Sequence, residues 1–503
     1  AEPSTQYSTP GLAPERRGFT TNSELGQWLH NIANAAPRGP TQASVLQLGA
    51  SQQGEPILGL LLTRAKGMDM ASLEANGRST VVLIGQQHGD EPAGSEALLV
   101  VARELAQGLL EPLLDRINVV VIPRANPDGA TNGNRTTANG VDMNRDHLLL
   151  NTPEARALAR VVRDYRPILV LDAHEFTVAG RYLQKFNAIQ RYDALLQYTT
   201  TANYHEFLTK ASQEWYHQPM LGALQSQGMS SEWYYTTSTQ PDDKRISMGG
   251  VQPDTGRNVN GLKNAVSLLV ETRGVGLGRL HIQRRVHTQV TTITSALRST
   301  AERAADLEQV RSYVARDTAS KACKGQVVIE AQATPMQREL TMLDPDTGAD
   351  RTLKVDWNSS LALRPVKSRP RPCGYWLAAH ATAAVERLQM LGVQVLRIAE
   401  PGALLADTYY ETARETTERT DVRGTIAGGS SIIRTQVTPV RSAIDVPAGS
   451  FYVPLNQGLA HLAVAALEPD TQSSYFANRL IDELGSTARV MTVPSLVFVE
   501  SDE

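Results

Sequence analysis

The chain has 503 residues, which is too long for one ordinary domain, so we expect one large domain and at least one smaller one. Hydrophobic residues make up 41% of it and charged residues 20%, a balance that excludes wholesale disorder, collagen and a coiled coil. The net charge of -3 gives no basic excess that would favour nucleic acid or an anionic membrane as a partner. No uninterrupted apolar run reaches the roughly 18 residues of a membrane helix, so we expect no membrane span.

The beginning of the chain predicts an exported protein. It opens at Ala1 without an initiator Met or a hydrophobic leader, and a loose Pro/Ser/Thr segment runs to Pro14. This is typical of a mature chain whose leader has been cut after a small residue, although a shortened chain would look the same. We therefore expect a secreted or periplasmic location.

Apolar runs alternating with helical segments predict an α/β domain. The first 40 residues are polar and are predicted to form an N-terminal extension. Predicted strands cover residues 44–48, 56–62, 80–84, 117–122, 168–171 and 265–270, and predicted helices cover residues 93–110 and 154–164. A long helix from Arg284, with Val286, Val290, Ile293 and Leu297 at helical spacing, closes the domain. This order predicts a mostly parallel or mixed sheet over residues 41–318.

The pattern of predicted elements changes after Gly325. A hairpin is predicted from residues 339–343 and 352–357 around the turn at 345–348, followed by a helix over 379–391 and a strand over 393–396. A Thr-rich stretch with alternating apolar positions runs from Tyr409 to Val446. We predict a separate β-rich α+β accessory domain over residues 319–503.

Two cysteines, Cys323 and Cys373, are too few for a disulfide scaffold or a cysteine-based zinc site. In an oxidising compartment they would close a loop of about 50 residues and contribute about 4 kcal/mol in the chain-entropy model. Two unrelated buried thiols are an equal alternative on the sequence alone.

Candidate metal ligands follow two of the predicted strands. His88 and Glu91, with two residues between them, lie in the turn after the strand at 80–84, and His174 lies just past the strand at 168–171. Two imidazoles and a carboxylate suit a catalytic zinc that keeps a fourth position for water. Each signal alone is weak, because a His-x-x-Glu pair arises by chance and a histidine at a strand end is usually structural.

The residues between these candidates resemble the zinc carboxypeptidases, the funnelin-type metallocarboxypeptidases that include carboxypeptidase A. Asn126-Pro127-Asp128-Gly129, then Arg135, then Gly140-Val141-Asp142-Met143-Asn144-Arg145 follow in that family's order, and residues 269–274 resemble the strand of its general base. The resemblance spans about residues 40–290. It implies a mixed, largely parallel eight-stranded sheet flanked by helices, and a hydrolase that cleaves the C-terminal peptide bond of peptides with a zinc-activated water.

The resemblance also implies a role for each matching residue. His88, Glu91 and His174 would bind one Zn2+ per chain, and Asp142 would orient the first ligand through its other ring nitrogen. Arg135 would stabilise the oxyanion and Glu271 would act as the general base. Asn144 and Arg145 would hold the free C-terminal carboxylate of a peptide substrate.

One residue of the family pattern is missing, and the residue that selects the substrate side chain stays open. No tyrosine lies in the interval where the family's mobile tyrosine is found, so Tyr234 and Tyr235 are nominated instead, although packing is the commoner role of such aromatics. Asp254 would favour a basic substrate side chain and Arg257 an acidic one, and the sequence leaves open which of them faces the pocket.

Three functions remain in competition. The first is a zinc carboxypeptidase, and the second is a related zinc amidohydrolase that acts on cell-wall (murein) peptides or N-acyl amino acids. The third is a catalytically inactive peptide-binding module, which predicts the loss of a ligand or of the base, and none is lost. The complete motif set and the expected export favour the peptidase.

Overall fold

Apolar runs in the first part of the chain form its central strands. A computed structural model describes residues 2–35 and 39–500. The strands are β1 (Gln42–Ala50), β2 (Pro56–Thr63), β3 (Ser79–Gly85), β4 (Ile117–Ile122), β5 (Leu169–Thr177), β6 (Ala194–Tyr198), β7 (Ser231–Trp233), β8 (Thr236–Thr237), β9 (Ile246–Ser247) and β10 (Val266–Val275).

Ten α-helices accompany these strands among the described residues. They are α1 (Asn22–Asn34), α2 (Met70–Asn76), α3 (Ala93–Gln107), α4 (Pro127–Asn132), α5 (Pro153–Tyr165), α6 (Gly180–Phe186), α7 (Glu206–Ala211), α8 (Gln218–Ser226), α9 (Gly256–Gly261) and α10 (Ile282–Ser320). A π-helical segment, Ser212–His217, joins α7 to α8, and 3-10 turns lie at Pro10–Leu12, Glu111–Asp115 and Met143–Arg145.

Eight of the strands form one mixed sheet in the order β1-β2-β4-β3-β5-β10-β6-β7. The central strands β4, β3, β5 and β10 run parallel, as do β6 and β7. The pairs β1–β2, β2–β4 and β10–β6 are antiparallel. The predicted mixed, largely parallel eight-stranded sheet flanked by helices is thus confirmed.

The central strands are apolar along their whole length because both faces of the sheet are covered. Successive side chains of β3 alternate: Val81 and Leu83 join one core with helices α1, α3 and α10, whereas Val82 and Ile84 join another with α5. Polar side chains are therefore found mainly at the ends of these strands and in the loops that follow, where the candidate site lies.

Two segments in which no helix was predicted each contain one. The first 40 residues, predicted as a polar extension, contain helix α1, which packs Leu25 and Leu29 into the main core. A capping box starts this helix, in which the side chains of Thr21 and Glu24 each bond the other's backbone. The segment 126–140, for which no element was predicted, contains the short helix α4.

The C-terminal region is rich in strands, as predicted. Its elements are β11 (Gln326–Leu343), β12 (Asp350–Pro370), β13 (Gly374–Leu377), α11 (Thr382–Leu391), β14 (Leu396–Arg397), β15 (Gly402–Thr417), β16 (Thr420–Asp421), β17 (Gly424–Thr425), β18 (Ile432–Val446), β19 (Phe451–Pro454), α12 (Ala460–Leu467) and β20 (Thr487–Val490), with a 3-10 turn at Leu484–Ser486. Six of them form a sheet in the order β14-β19-β13-β20-β15-β18. The strand predicted over 393–396 was wrong in extent, because only Leu396–Arg397 pairs.

The two regions share both a sheet and a hydrophobic core. Strand β12 pairs with β9, with Trp357 opposite Ile246, in a four-stranded sheet of order β11-β12-β9-β8. Trp357 is fully buried among side chains from both regions, including Tyr182 and Tyr235. The C-terminal region therefore packs directly against the elements that surround the candidate site.

Cys323 and Cys373 form a disulfide. Cys323 follows α10 and Cys373 precedes β13, so the bond fixes the start of the C-terminal region against one of its central strands. Closing a loop of this length contributes about 4 kcal/mol in the chain-entropy model.

Among the residues that the structure describes, no helix is both long enough and apolar enough to cross a membrane.

Candidate active site

The loops after β3 and β4 are tied together by one side chain. Asn126 accepts a hydrogen bond from the backbone N of Gly129 at 2.9 Å and donates to the carbonyl oxygens of Gln87 and Thr136, both at 3.1 Å. Gly89 lies directly against Gly129, so a Cβ at this position would collide with the neighbouring backbone. The Asn-Pro-Asp-Gly motif thus has a structural task, which is to hold the turn that carries His88 and Glu91.

Three buried side chains meet at the ends of β3 and β5. One ligand atom from each of His88, Glu91 and His174 lies within 4.8 Å of the others. The Nδ1 atom of His88 lies 2.8 Å from one Glu91 oxygen, and Nδ1 of His174 lies 3.0 Å from the other. Two imidazoles and a carboxylate at such distances fit a zinc ion with three protein ligands.

Each imidazole has a second carboxylate behind it. Nε2 of His88 lies 2.8 Å from Asp142, which the sequence predicted, and Nε2 of His174 lies 2.8 Å from Asp172, which it did not. Carboxylates in this position fix the orientation of a metal-binding ring. Asp172 precedes His174 by two residues, so the side chains share one face of β5, and that spacing was the missed signal.

The imidazoles and carboxylates of this cluster stabilise each other's charged forms. Burial raises the pKa of Glu91, but the imidazoles of His88 and His174 outweigh burial and hold the pKa below its usual range. Burial likewise lowers the pKa of His174, whereas Asp172 and Glu91 raise it well above its usual value. The carboxylates of this cluster therefore stabilise positive charge at the imidazoles, and they would do the same for a divalent cation held there.

Glu271 stands beside this cluster because of strand register. Strands β5 and β10 are parallel neighbours, and Glu271 is directly opposite His174. Its carboxylate accepts no hydrogen bond from any described residue, and burial, the largest cause, raises its pKa to about 8. Glu175, the carboxylate next to His174 in the chain, is instead held by two hydrogen bonds of 2.9 Å from Arg285, so it is not free to act as a base.

The predicted arginines, Arg135 and Arg145, line the cleft that contains the candidate metal ligands. Arg135 donates from Nε to Asp142 at 3.1 Å, and its Nη1 lies 3.8 Å from Glu91. Arg145 follows Asn144, whose side-chain oxygen accepts a bond from the backbone N of Gly256 at 2.9 Å. Both arginines thus line the cleft, and Arg135 lies beside the candidate metal ligands.

The two nominated tyrosines have different surroundings. Tyr234 lines the cleft, and burial, followed by the negative charge of Glu271, raises its pKa to about 12. Tyr235 is fully buried, bonds Gln190 and packs edge-on against Tyr182. Tyr234 is therefore the one that we retain as a substrate-contacting candidate.

The two pocket candidates also separate. Arg257 donates to the backbone oxygens of Tyr198 and Gly250, at 2.8 and 3.3 Å, so its charge is used to hold loops together. Asp254 is buried, its Oδ2 atom accepts no hydrogen bond in the described structure, and burial raises its pKa to about 6. This Oδ2 atom lies 3.6 Å from Nη2 of the buried Arg419, so Asp254 keeps hydrogen-bonding capacity but already faces one positive charge.

The sequence model of the zinc carboxypeptidase family matches residues 26–246. This span contains the three candidate ligands, and it also contains Arg135, Asn144 and Arg145. This part of the chain belongs to the zinc carboxypeptidase family. The protein is accordingly a peptide-bond hydrolase.

Similarity to individual carboxypeptidases extends further along the chain. The chain is 26% identical to Carboxypeptidase 2 of Trichophyton equinum over 490 residues, and the alignment covers 93% of this chain and 86% of that protein. It is 27% identical over 399 residues to Carboxypeptidase 2 of Trichophyton rubrum, covering 78% and 72%. Among solved structures, carboxypeptidase A from Helicoverpa armigera aligns with a TM-score of 0.42 at 14% identity, over 59% of this chain and 78% of that one.

A C-terminal segment outside the zinc carboxypeptidase match also enters the cleft. Residues 419–426, here called the cleft hairpin, contain the paired strands β16 and β17. Asp421 accepts a hydrogen bond from Nε of Arg145 at 2.8 Å, and Nη2 of Arg419 donates to the backbone oxygen of Arg145 at 2.7 Å. No sequence signal pointed to this contact, because Asp421 and Arg145 are 276 residues apart.

Proposed function

We propose that the protein is a zinc-dependent metallocarboxypeptidase that removes the C-terminal residue of peptides. The observation that carries the proposal is the placement of Glu271 opposite His174, beside the His88–Glu91–His174 cluster. A free, buried carboxylate next to a three-ligand metal site is the arrangement that hydrolysis of an amide requires.

In this proposal each side chain has one task. A zinc ion held by His88, Glu91 and His174 would supply a Lewis acid and lower the pKa of a water molecule. Glu271 takes a proton from the attacking water and passes it to the leaving amine. Arg135 stabilises the negative charge that develops on the carbonyl oxygen, since its guanidinium stays charged and lies 3.8 Å from Glu91.

Asn144 and Arg145 are the proposed anchor for the free terminal carboxylate. Nε of Arg145 is used by Asp421 and Nη1 by the backbone oxygen of Asn144, whereas Nη2 bonds no described residue. Asp254 and Tyr234 line the same part of the cleft and are the proposed contacts for the last residue of the substrate.

The alternative is an amidohydrolase acting on murein peptides or on small N-acyl amino acids. The cleft has a volume of about 780 Å³ and extends from the metal ligands to strands β12 and β15 of the C-terminal region. That space suits a peptide with residues on both sides of the scissile bond better than an N-acyl amino acid. We propose that residues 319–503 act as an accessory region that walls this cleft.

We propose an oxidising compartment, either secreted or periplasmic, as the location of the protein. The support is the Cys323–Cys373 disulfide, since such bonds are rare where glutathione keeps thiols reduced.

We expect one zinc per chain in the purified protein, measured by elemental mass spectrometry. Replacing His174 with alanine removes one of three ligands and should abolish stoichiometric binding. His380→Ala is the matched control, because this exposed histidine pairs with Asp482 far from the cleft. Stoichiometric zinc in His174→Ala would show that the third ligand is wrongly assigned.

A further inference from the structure

A line of buried polar side chains extends from the candidate metal ligands into the protein interior. Oδ2 of Asp172 lies 2.8 Å from Nε2 of His174, and the same oxygen accepts a hydrogen bond from Nε2 of Gln87 at 2.7 Å. Oε1 of Gln87 lies 2.7 Å from Nε2 of His147. None of these four residues is more than 3% exposed, so bulk water does not compete for their polar atoms.

The chemistry of these groups allows only one direction for the hydrogen bonds. A carboxylate only accepts, so Gln87 must present its NH2 group to Asp172 and its oxygen to His147. An amide oxygen also only accepts, so Nε2 of His147 must carry the ring proton. Oδ2 of Asp172 also faces Nε2 of His174, which leaves Nδ1 of that ring, the atom toward Glu91, to bind a metal. The line therefore fixes which nitrogen of His174 faces the metal position.

The far end of the line is held by the loop that leads into α9. The backbone N of His147 donates to the carbonyl oxygen of Asp254 at 3.2 Å. A Cβ at Gly256 would lie 3.3 Å from the ring of His147 and 3.5 Å from Nε2 of Gln87. Such close packing leaves both side chains little room to change rotamer.

Asp172 has few donors apart from this line. Its Oδ1 atom accepts no hydrogen bond in the described structure, so Oδ2 alone is held, by Gln87, beside the ring of His174. Without Gln87, a buried carboxylate would lose a donor that fixes its rotation. Neither Gln87 nor His147 lines the cleft, so any effect of these two residues on the site must pass through Asp172.

We propose that Gln87 and His147 are positioning residues that hold Asp172, and through it the imidazole of His174, in the orientation that binds zinc. The proposal rests on the zinc-dependent function proposed above and extends its metal site to two residues that are not ligands. Neither residue was singled out by the sequence motifs.

The first test measures the zinc Kd of Gln87→Met by competition with a chelator of known affinity. Methionine has a similar length and no hydrogen-bonding group that could replace the amide. We expect zinc binding to weaken about tenfold, because loss of a residue that orients a metal-binding ring typically weakens binding by that order. Gln197→Met is the matched control, since this buried glutamine on β6 bonds the backbone oxygen of Met248 and does not line the cleft. Its zinc Kd should stay unchanged.

His147 allows a test by rescue. His147→Phe fills the space of the ring without an N–H group and should weaken zinc binding severalfold. His147→Gln places an amide N–H close to the position of Nε2 and should restore most of the affinity. The visible absorption of Co2+-substituted protein depends on ligand geometry, so its bands should shift in Gln87→Met and His147→Phe and return in His147→Gln.

A double-mutant cycle tests whether the effect passes through Asp172. Asp172→Ala alone should weaken zinc binding, because it removes the carboxylate behind His174. Adding Gln87→Met to Asp172→Ala should then change the zinc Kd by less than about twofold, since residues that act through one another are not additive.

Three results would overturn the positioning role. They are a zinc Kd and cobalt spectrum unchanged in Gln87→Met, an equal loss of affinity in Gln197→Met, and full additivity of Gln87→Met with Asp172→Ala. Thermal midpoints of the metal-free proteins are compared to exclude misfolding as the cause of weaker binding.

Failure of this role is separable from failure of the proposed function, because metal affinity and peptide cleavage are measured independently. A protein that binds zinc with the expected dependence on Gln87 but releases no C-terminal amino acid would refute the carboxypeptidase and retain the positioning role. A protein that cleaves peptides while Gln87→Met keeps its zinc affinity and cobalt spectrum would do the reverse.

Discussion

Glu271→Gln is expected to keep zinc bound and to lower kcat at least about a hundredfold, the scale of general acid/base catalysis. The replacement has nearly the same shape and removes only the basic oxygen. Because Glu271 accepts no hydrogen bond from the described residues, the fold should not depend on its charge. Steady-state kinetics with elemental analysis of the same samples measures both effects.

The pH profile offers a second measure of this residue. Burial, the largest cause, raises the pKa of Glu271 to about 8, and a bound divalent cation would lower it, since positive charge favours the carboxylate. Activity should therefore fall as the pH drops through that pKa, and the residual activity of Glu271→Gln should lack this acid limb. Glu386→Gln, an exposed change beside Arg156, serves as the control. A near-wild-type rate in Glu271→Gln would show that another group is the base.

Amidating the C-terminus of a peptide substrate is expected to lower kcat/KM by orders of magnitude, and Arg145→Ala should have a similar effect on the free-acid peptide. Removing one partner of a buried charge pair costs about 2–5 kcal/mol. Arg145→Ala also leaves Asp421 without its 2.8 Å partner, so zinc content and thermal midpoint are measured together with the rates. Arg163→Ala is the control, since this half-buried arginine pairs with Asp164 and does not line the cleft.

Equal rates on free-acid and amidated peptides would argue against a carboxypeptidase and favour an endo-acting amidase. A small N-acyl amino acid also carries a carboxylate, so a tripeptide is compared with its N-acetylated amino acid counterpart. A carboxypeptidase should prefer the tripeptide, because contacts remote from the scissile bond stabilise its transition state. Preference for the N-acetyl amino acid would support the deacylase alternative.

Local sequence patterns were sufficient for the sheet and for the region that holds the candidate ligands. Strands such as β3 and β4 are apolar throughout, because both faces are buried, and this made them visible as short runs. Parallel neighbours end at the same edge of a sheet, so residues after the predicted strands 80–84 and 168–171 were expected to meet there. The second strand is longer than predicted, because β5 continues through His174 to Thr177. Helix α1 was missed, although its capping box from Thr21 to Glu24 was readable.

The wall of the cleft depends on contacts that no local pattern encodes. Asp421 reaches Arg145 across 276 residues, and which of Asp254 and Arg257 keeps a free polar group depends on how the loops around them pack. A single sequence identifies the side chains that can carry charge. It does not reveal which of those charges are already neutralised in the folded chain.

The position of Asp421 has a consequence for the order in which the site is assembled. Domains fold largely from the N-terminus as a chain is synthesised, and His88, Glu91 and His174 are made long before residue 421. A chain that has been made only as far as His174 holds all three candidate ligands, whereas Arg145 still lacks Asp421. Under the proposed function, the surface that would contact a peptide is complete only after the cleft hairpin has been made, so a shorter chain would lack part of it.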